Sequence, residues 1–274
     1  MSVQRKCINV QRKYKMVLKM AILKEMQYKL NFILSLLSAM IPMGMSLLMW
    51  QAIYKHSEYT FGYCYEEMLL YTILAVLVSQ FVAAGFAMEI ASDIKSGELS
   101  KFLCAPIGYL LYRLVYFIGS KIVSFVMSGM MLIGVILAFN SLTTFEMSAV
   151  RIVYFIVALF LGMLLNFVVF LGIGLTAFWF VETFYLFWAL KEIILLTSGG
   201  LFPLEVYGRV GSFVLKSLPF QYTTYFPIHI VLGKLSVSEI QRGLLIQSFW
   251  LLLIGTIVGI LWRKGIKNYV SVGG

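Results

Sequence analysis

The chain has 274 residues, 61% hydrophobic and only 12% charged, with a mean hydropathy of +0.91. A soluble domain carries about 25% charged residues, so the composition excludes an ordinary soluble enzyme or binding module and indicates an integral membrane protein. The formal charge of +10 is confined to the ends: residues 1–29 hold eight Lys/Arg against one Glu, and the tail from Arg263 adds three basic residues and no acid. Basic ends flanking apolar runs follow the positive-inside rule, which explains the charge better than nucleic-acid binding and predicts cytoplasmic termini. The first apolar run begins too late for a secretory signal peptide.

In residues 1–29, Tyr14, Val17, Leu18, Ala21 and Ile22 recur at helical spacing, interrupted by Glu25. They predict an amphipathic helix on the inner leaflet with its lysines near lipid headgroups; a disordered basic tail is the alternative. Six apolar segments follow, each near the roughly 20 residues that cross a bilayer. They are Leu30–Tyr54, Met68–Met88, Ile122–Leu142 (entering as early as Leu114), Ile152–Val181, Thr183–Leu204 and Gly243–Trp262. In the first, Pro42 predicts a kink, and Trp50 and Tyr54 predict outer-interface anchors. The fourth is long enough that it must tilt, bend or project. The predicted inner segments hold fifteen Lys/Arg and the outer ones six, so six spans leave both ends inside. The expectation is one all-α membrane domain over 30–262, preceded by the 1–29 helix and followed by a basic tail, 263–274.

Between the second and third spans lies the most evenly charged piece of the chain, EIASDIKSGELSKFLCAP, residues 89–106. Such a connector must stand in water at a membrane face. The helix of the second span is expected to run to Lys95, after Asp93 and Ile94, and Gly97 supplies the left-handed residue that ends it. Glu98 then starts a short helix where its charge suits the N-terminus. Leu99, Phe102 and Leu103 form one apolar edge, and Pro106 stops the segment. That edge suits either docking in a partner's groove or contact with lipid and neighbouring spans.

Lys191 and Glu192 interrupt the fifth span, where a charge costs about 2.5–3.5 kcal/mol on insertion scales. Either they face a substrate path or subunit seam, or the span starts later and leaves them at its edge. Residues 197–233 are broken by Gly199, Gly200, Pro203, Pro219 and Pro227 yet stay apolar and aromatic. This predicts a re-entrant outer element, read as an outer gate or as a packed lid.

The sequence offers no phosphate-cradling loop, nucleophile elbow or zinc-binding helix motif. Cys7, Cys64 and Cys104 are scattered, as are His56 and His229, so no disulfide framework, metal site or catalytic residue is expected.

The run I-x-S-G-E-L-x-x-x-L-x-x-P from Ile94 to Pro106, the blocks SGGLFPL and LPFQYTTYFPIHIVLG, and the ending LWRKGIKNYVSVGG occur in that order along the whole chain. Together they resemble the membrane subunits of type-2 ATP-binding-cassette (ABC) exporters, in a six-span bacterial group without a fused ATPase; Tyr207–Gly208 stands where that group carries a proline. The resemblance implies a permease of the bacterial plasma membrane that pairs with a second permease chain, identical or paralogous, above two copies of a separate ATPase. Asp93, Ile94, Lys95, Gly97, Glu98, Leu99, Phe102, Leu103 and Pro106 would form the ATPase-coupling segment, and ATP and magnesium would belong to the partner. A hydrophobic or amphipathic drug, lipid or peptide would be the cargo. An ion-coupled transporter or channel using Lys191 and Glu192 is the main alternative. An intramembrane enzyme, which would need Glu192 or His229, fits less well.

Overall fold

The structure is a computed structural model that describes residues 2–27, 29–139, 148–180 and 182–269. Along the chain run helices α1 (Ser2–Gln27) and α2 (Lys29–Tyr54), then a two-stranded hairpin, β1 (Tyr59–Thr60) and β2 (Tyr63–Cys64). Helices α3 (Tyr65–Val82), α4 (Ala87–Lys95), α5 (Leu99–Cys104) and α6 (Tyr109–Phe139) follow. The second half contains α7 (Ala149–Leu175), α8 (Phe184–Thr197), α9 (Gly208–Ser217), α10 (Tyr225–Val231) and α11 (Val237–Asn268). This is an all-α membrane architecture. Among the described residues three stretches, Tyr65–Lys95, Ala149–Phe178 and Val237–Asn268, are long and apolar enough to cross a membrane.

Several elements depart from the span-by-span expectation. The second span is two helices. α3 ends at Val82, and α4 restarts at Ala87 after an irregular turn through Gly85. The break strands the Val82 carbonyl, and the buried amide of Asn166 on α7 donates to it at 2.6 Å, which removes the cost of an unpaired carbonyl in apolar surroundings. α6 starts at Tyr109, well before Ile122, so a lower section projects and carries Arg113. α7 ends at Leu175 in a 3₁₀ turn, Thr176–Phe178. The fifth expected span yields only the 14-residue α8, about 21 Å long at 1.5 Å per residue, because Ser198–Pro203 forms a turn around two glycines. α11 overruns its expected span at both ends. Its start is fixed by Ser236, whose hydroxyl accepts from the Glu239 amide at 3.3 Å while its own N–H donates to the Glu239 carboxylate at 2.7 Å. Leu142, Val181 and residues 270–274, which close the third span, the fourth span and the tail, lie outside the described residues.

The centre of the bundle is α3, α4, α7 and α10, and every residue of α10 is buried. α2 packs on α3, and α11 packs along α7. The apolar stripe of α1 lies on α6: Val17 and Ala21 are buried, and a Cβ added at Gly119 would come within 2.7 Å of the Ala21 methyl. Its periodicity therefore records helix packing as well as any lipid contact. Trp50 is 1% exposed, against Tyr54, Phe61 and Phe202. It is a core residue and not an interface anchor. Tyr54 holds the hairpin, donating toward the carbonyls of Thr60 and Tyr63 at 3.0 and 2.9 Å. By contrast α11 presents Leu245, Phe249, Leu252 and Ile257 outward, the lipid-like face of a helix at the bundle's edge.

Candidate functional site

At the connector end, α4 stops at Lys95, and Gly97 takes φ +78°, a conformation that costs a residue with a Cβ. Glu98 occupies the N-cap position of α5. Beneath this turn is a buried polar mount. Arg113 of α6 donates to Glu89 at 2.6 Å and, through its other terminal nitrogen, to Asp93. The Tyr109 hydroxyl donates to Asp93 at 2.6 Å and accepts from Arg113 Nε at 3.2 Å. Asp93 and Arg113 are both below 10% exposed, so the pair is shielded from water and salt; Glu89 is half-exposed and contributes less.

Aromatic packing extends the mount to the chain's last helix. The Tyr109 ring stacks on Trp262 with centroids 5.4 Å apart, and Phe102 leans on Tyr109 and Tyr112. The Ser100 and Tyr269 hydroxyls meet at 3.0 Å. α4, α6 and α11 thus hold α5 in one orientation.

The predicted apolar edge divides under this packing. Leu99 is fully buried and Phe102 is half-buried, so both anchor α5 to its own bundle; Leu103 is 47% exposed. The physical reason is that α5 has only six residues, and it needs one side chain in the core to stay attached. The outward surface is Lys95, Ser96, Glu98, Lys101, Leu103 and Pro106, where Glu98 and Lys101 form an exposed pair at 2.8 Å. Beside it an open groove of about 700 Å³ runs between α4 and the start of α8, lined by Met88, Ser92, Lys95, Glu182 and Tyr185. Lys95 donates to Thr183 across it at 3.2 Å.

At the hairpin end, residues 197–233 form a compact cap. Gly199 takes φ +79°, and its carbonyl accepts from the Tyr71 hydroxyl at 2.6 Å. A Cβ at Gly200 would lie 2.7 Å from Leu195 and 2.9 Å from the Ser79 hydroxyl. Pro203 precedes the 3₁₀ turn Leu204–Tyr207, Pro219 opens a second at Pro219–Tyr222, and Pro227 sits in the first turn of α10, where its missing N–H costs nothing.

The cap closes on a polar cluster that motif reading did not find. Glu205 accepts from Lys216 at 2.8 Å, from the Tyr225 hydroxyl and from Tyr63 at 3.1 Å. Burial pushes its carboxyl up, but hydrogen bonds from Lys216 and Tyr225 outweigh this and hold it below its ordinary value. His229 lies 2.8 Å from Tyr63, and burial pushes it down to about 4. Lys234 joins the rim, bound to Glu67 at 2.9 Å and seated over the Tyr63 ring. Tyr63 and His229 lie 166 positions apart, so no spacing rule links them.

Lys191 and Glu192 are exposed midway along α8 among exposed Tyr185, Trp188 and Ile193. Lys191 lies over the Trp188 ring at 4.4 Å. Neither alternative for them is decided inside this chain, because both point away from it.

A broken second span, a connector mounted on buried ion pairs and long helices with apolar outer faces define a helical, multi-pass membrane protein. The family model described as ABC-2 family transporter protein matches residues 40–273. The chain belongs to that family and is the membrane component of an ABC transporter. Comparison with curated proteins finds no match.

Proposed function

We propose that this chain is the permease of an exporter in a bacterial plasma membrane, moving a hydrophobic or amphipathic drug, lipid or peptide outward by alternating access. Six spans leave both termini in the cytoplasm, as the charge bias expects, with the connector end inside and the hairpin end outside. Two copies of a separate ATPase, holding ATP and magnesium, dock on the connectors of two paired permeases, and membrane lipids surround the whole. The observation that carries this reading is the connector's construction: a short helix with an exposed rim, seated through Phe102 on the stacked rings of α6 and α11, where a buried ion pair ties α4 to α6. A push on such a rim moves α4, α6 and α11 together instead of bending a loop.

Leu103→Asp with Lys101→Glu changes only exposed positions of that rim. We expect the double variant to fold and reach the membrane normally but to lose at least tenfold of its ATPase co-purification and of transport-stimulated ATP hydrolysis. Undiminished capture and hydrolysis would remove the docking assignment.

The exposed face of α8 is the seam with the second permease. Neighbouring residues on a helix point about 100° apart, so Lys191 and Glu192 cannot pair with each other. Across a two-fold axis, however, each Lys191 can meet the other copy's Glu192. Glu192→Lys is expected to shift the detergent-solubilised protein from dimer to monomer, and Lys191→Glu combined with Glu192→Lys to restore the dimer. A dimer unaffected by the single change would exclude this seam.

A further inference from the structure

Counting protons in the cap cluster leaves one hydrogen bond unfilled. The Tyr225 carbonyl can only accept, so His229 Nδ1, 2.9 Å away, carries a proton. In neutral His229, Nε2 is then a bare acceptor 2.8 Å from the Tyr63 hydroxyl. Glu205 Oε2 is a second acceptor, 3.1 Å from the same hydroxyl, while Oε1 is already served by Lys216 and Tyr225. Tyr63 has one proton for two acceptors.

One added proton, on Nε2 or on Oε2, would complete the chain Glu205–Tyr63–His229. Its cost is set by the surroundings. From α3, Tyr71 packs its ring on both Tyr63 and His229, and Glu67 is taken up by Lys234. The 204–207 turn brings Glu205 and Tyr207, α9 brings Lys216, and α10 brings Tyr225, whose ring lies 3.8 Å from that of His229. A charged imidazole would sit in an aromatic cage beside two ammonium groups whose carboxylates, Glu205 and Glu67, are already paired with them. A protonated Glu205 would instead leave Lys216 without its counter-charge. Burying an unbalanced charge costs more than one hydrogen bond returns, so the closed cap resists the proton and an opened, hydrated cap accepts it.

We propose that Glu205, Tyr63 and His229 form a proton-operated latch that holds residues 197–233 closed when His229 is neutral and releases them when the cluster takes up a proton. The latch rests on reading 197–233 as the outer gate only for its effect on transport. His229 is held down at about 4 by burial, and Glu205 is held below its ordinary value. Both therefore bind a proton less readily in the closed form. The closed form is fully favoured above the ordinary histidine value near 6.5 and loses ground as pH falls toward 4.

The test is amide hydrogen exchange of peptides from 197–233 in the full-length protein in lipid nanodiscs, at pH 7 and pH 5, corrected for the intrinsic pH dependence of exchange. From these values the opening equilibrium is expected to rise about twentyfold between pH 7 and pH 5, with peptides from α7 unchanged. His229→Gln keeps a hydrogen-bonding amide but cannot titrate, and its acid response should vanish. Should His229→Gln be too unstable to compare, Tyr63→Phe keeps the ring that buries His229 but removes the hydroxyl that joins it to Glu205, and its cap should open more than that of the wild type already at pH 7. A pH-independent wild type, an acid response that survives His229→Gln, or a Tyr63→Phe cap no more open than wild type at pH 7 would each overturn the latch. Transport that ignores acid while exchange responds counts against the gate, not the latch.

Discussion

Arg113→Met is expected to lower unfolding stability by about 3–5 kcal/mol, the usual loss when one partner of a buried ion pair is removed. Arg113 is the hub of the connector mount, and without it Asp93 loses its buried counter-charge in a site 9% exposed. The measurement is thermal or denaturant unfolding in mild detergent, compared with Arg113→Met combined with Asp93→Leu. The double variant should recover much of the loss, since taking both charges out of a buried site removes the desolvation cost along with the attraction. It should not recover ATPase coupling, because α4 and α6, on which α5 rests, are then no longer tied by Asp93 and Arg113. A single variant as stable as wild type would show that the pair contributes neither stability nor position.

Gly199→Ala is expected to cost about 2–5 kcal/mol, felt at the hairpin end. The left-handed backbone at φ +79° accounts for about 1–2 kcal/mol in any residue with a Cβ. Overpacking accounts for about 1–3 kcal/mol more, since the new methyl would lie 2.7 Å from the Tyr71 hydroxyl and 2.9 Å from the Tyr225 Cβ. Tyr71 can retreat only by giving up its bond to the Gly199 carbonyl. Proteolysis or hydrogen exchange confined to 197–233 would register the change; cap exchange indistinguishable from wild type would refute it.

Membrane character, the helical build and the place of the connector were legible in the sequence because each is written locally. Hydropathy marks apolar runs, and a glycine followed by a charge marks a turn. Gly97 and the end of α4 at Lys95 are read from neighbours alone. The buried mount was not legible, because Asp93 and Arg113 stand 20 residues apart on elements whose facing is set by packing. An isolated arginine in an otherwise apolar helix start was the available signal. Leu99 illustrates the same limit: amphipathic spacing identifies a stripe but not whether its partner is another protein or the chain's own core. The cap cluster was the least legible, since a tyrosine, a glutamate and a histidine converge from three separate stretches. The fifth span is shorter than its apolar run because that run continues past Thr197 into the turn around Gly199 and Gly200, where hydropathy stays high but the helix has ended.

The interruption at residues 83–86 gives the second span the mechanics of a jointed arm. Its upper rod is fastened through Tyr71 to the Gly199 turn; its lower rod is fastened through Asp93 to Arg113. The lower rod has nine residues, about 13 Å at helical rise, so a tilt of about ten degrees at the joint displaces its far end by about 2 Å. An unbroken helix would have to carry that displacement through its whole length. Here the Asn166 amide stands in for the missing helical bond at the elbow, so the joint carries no unpaired Val82 carbonyl in the core.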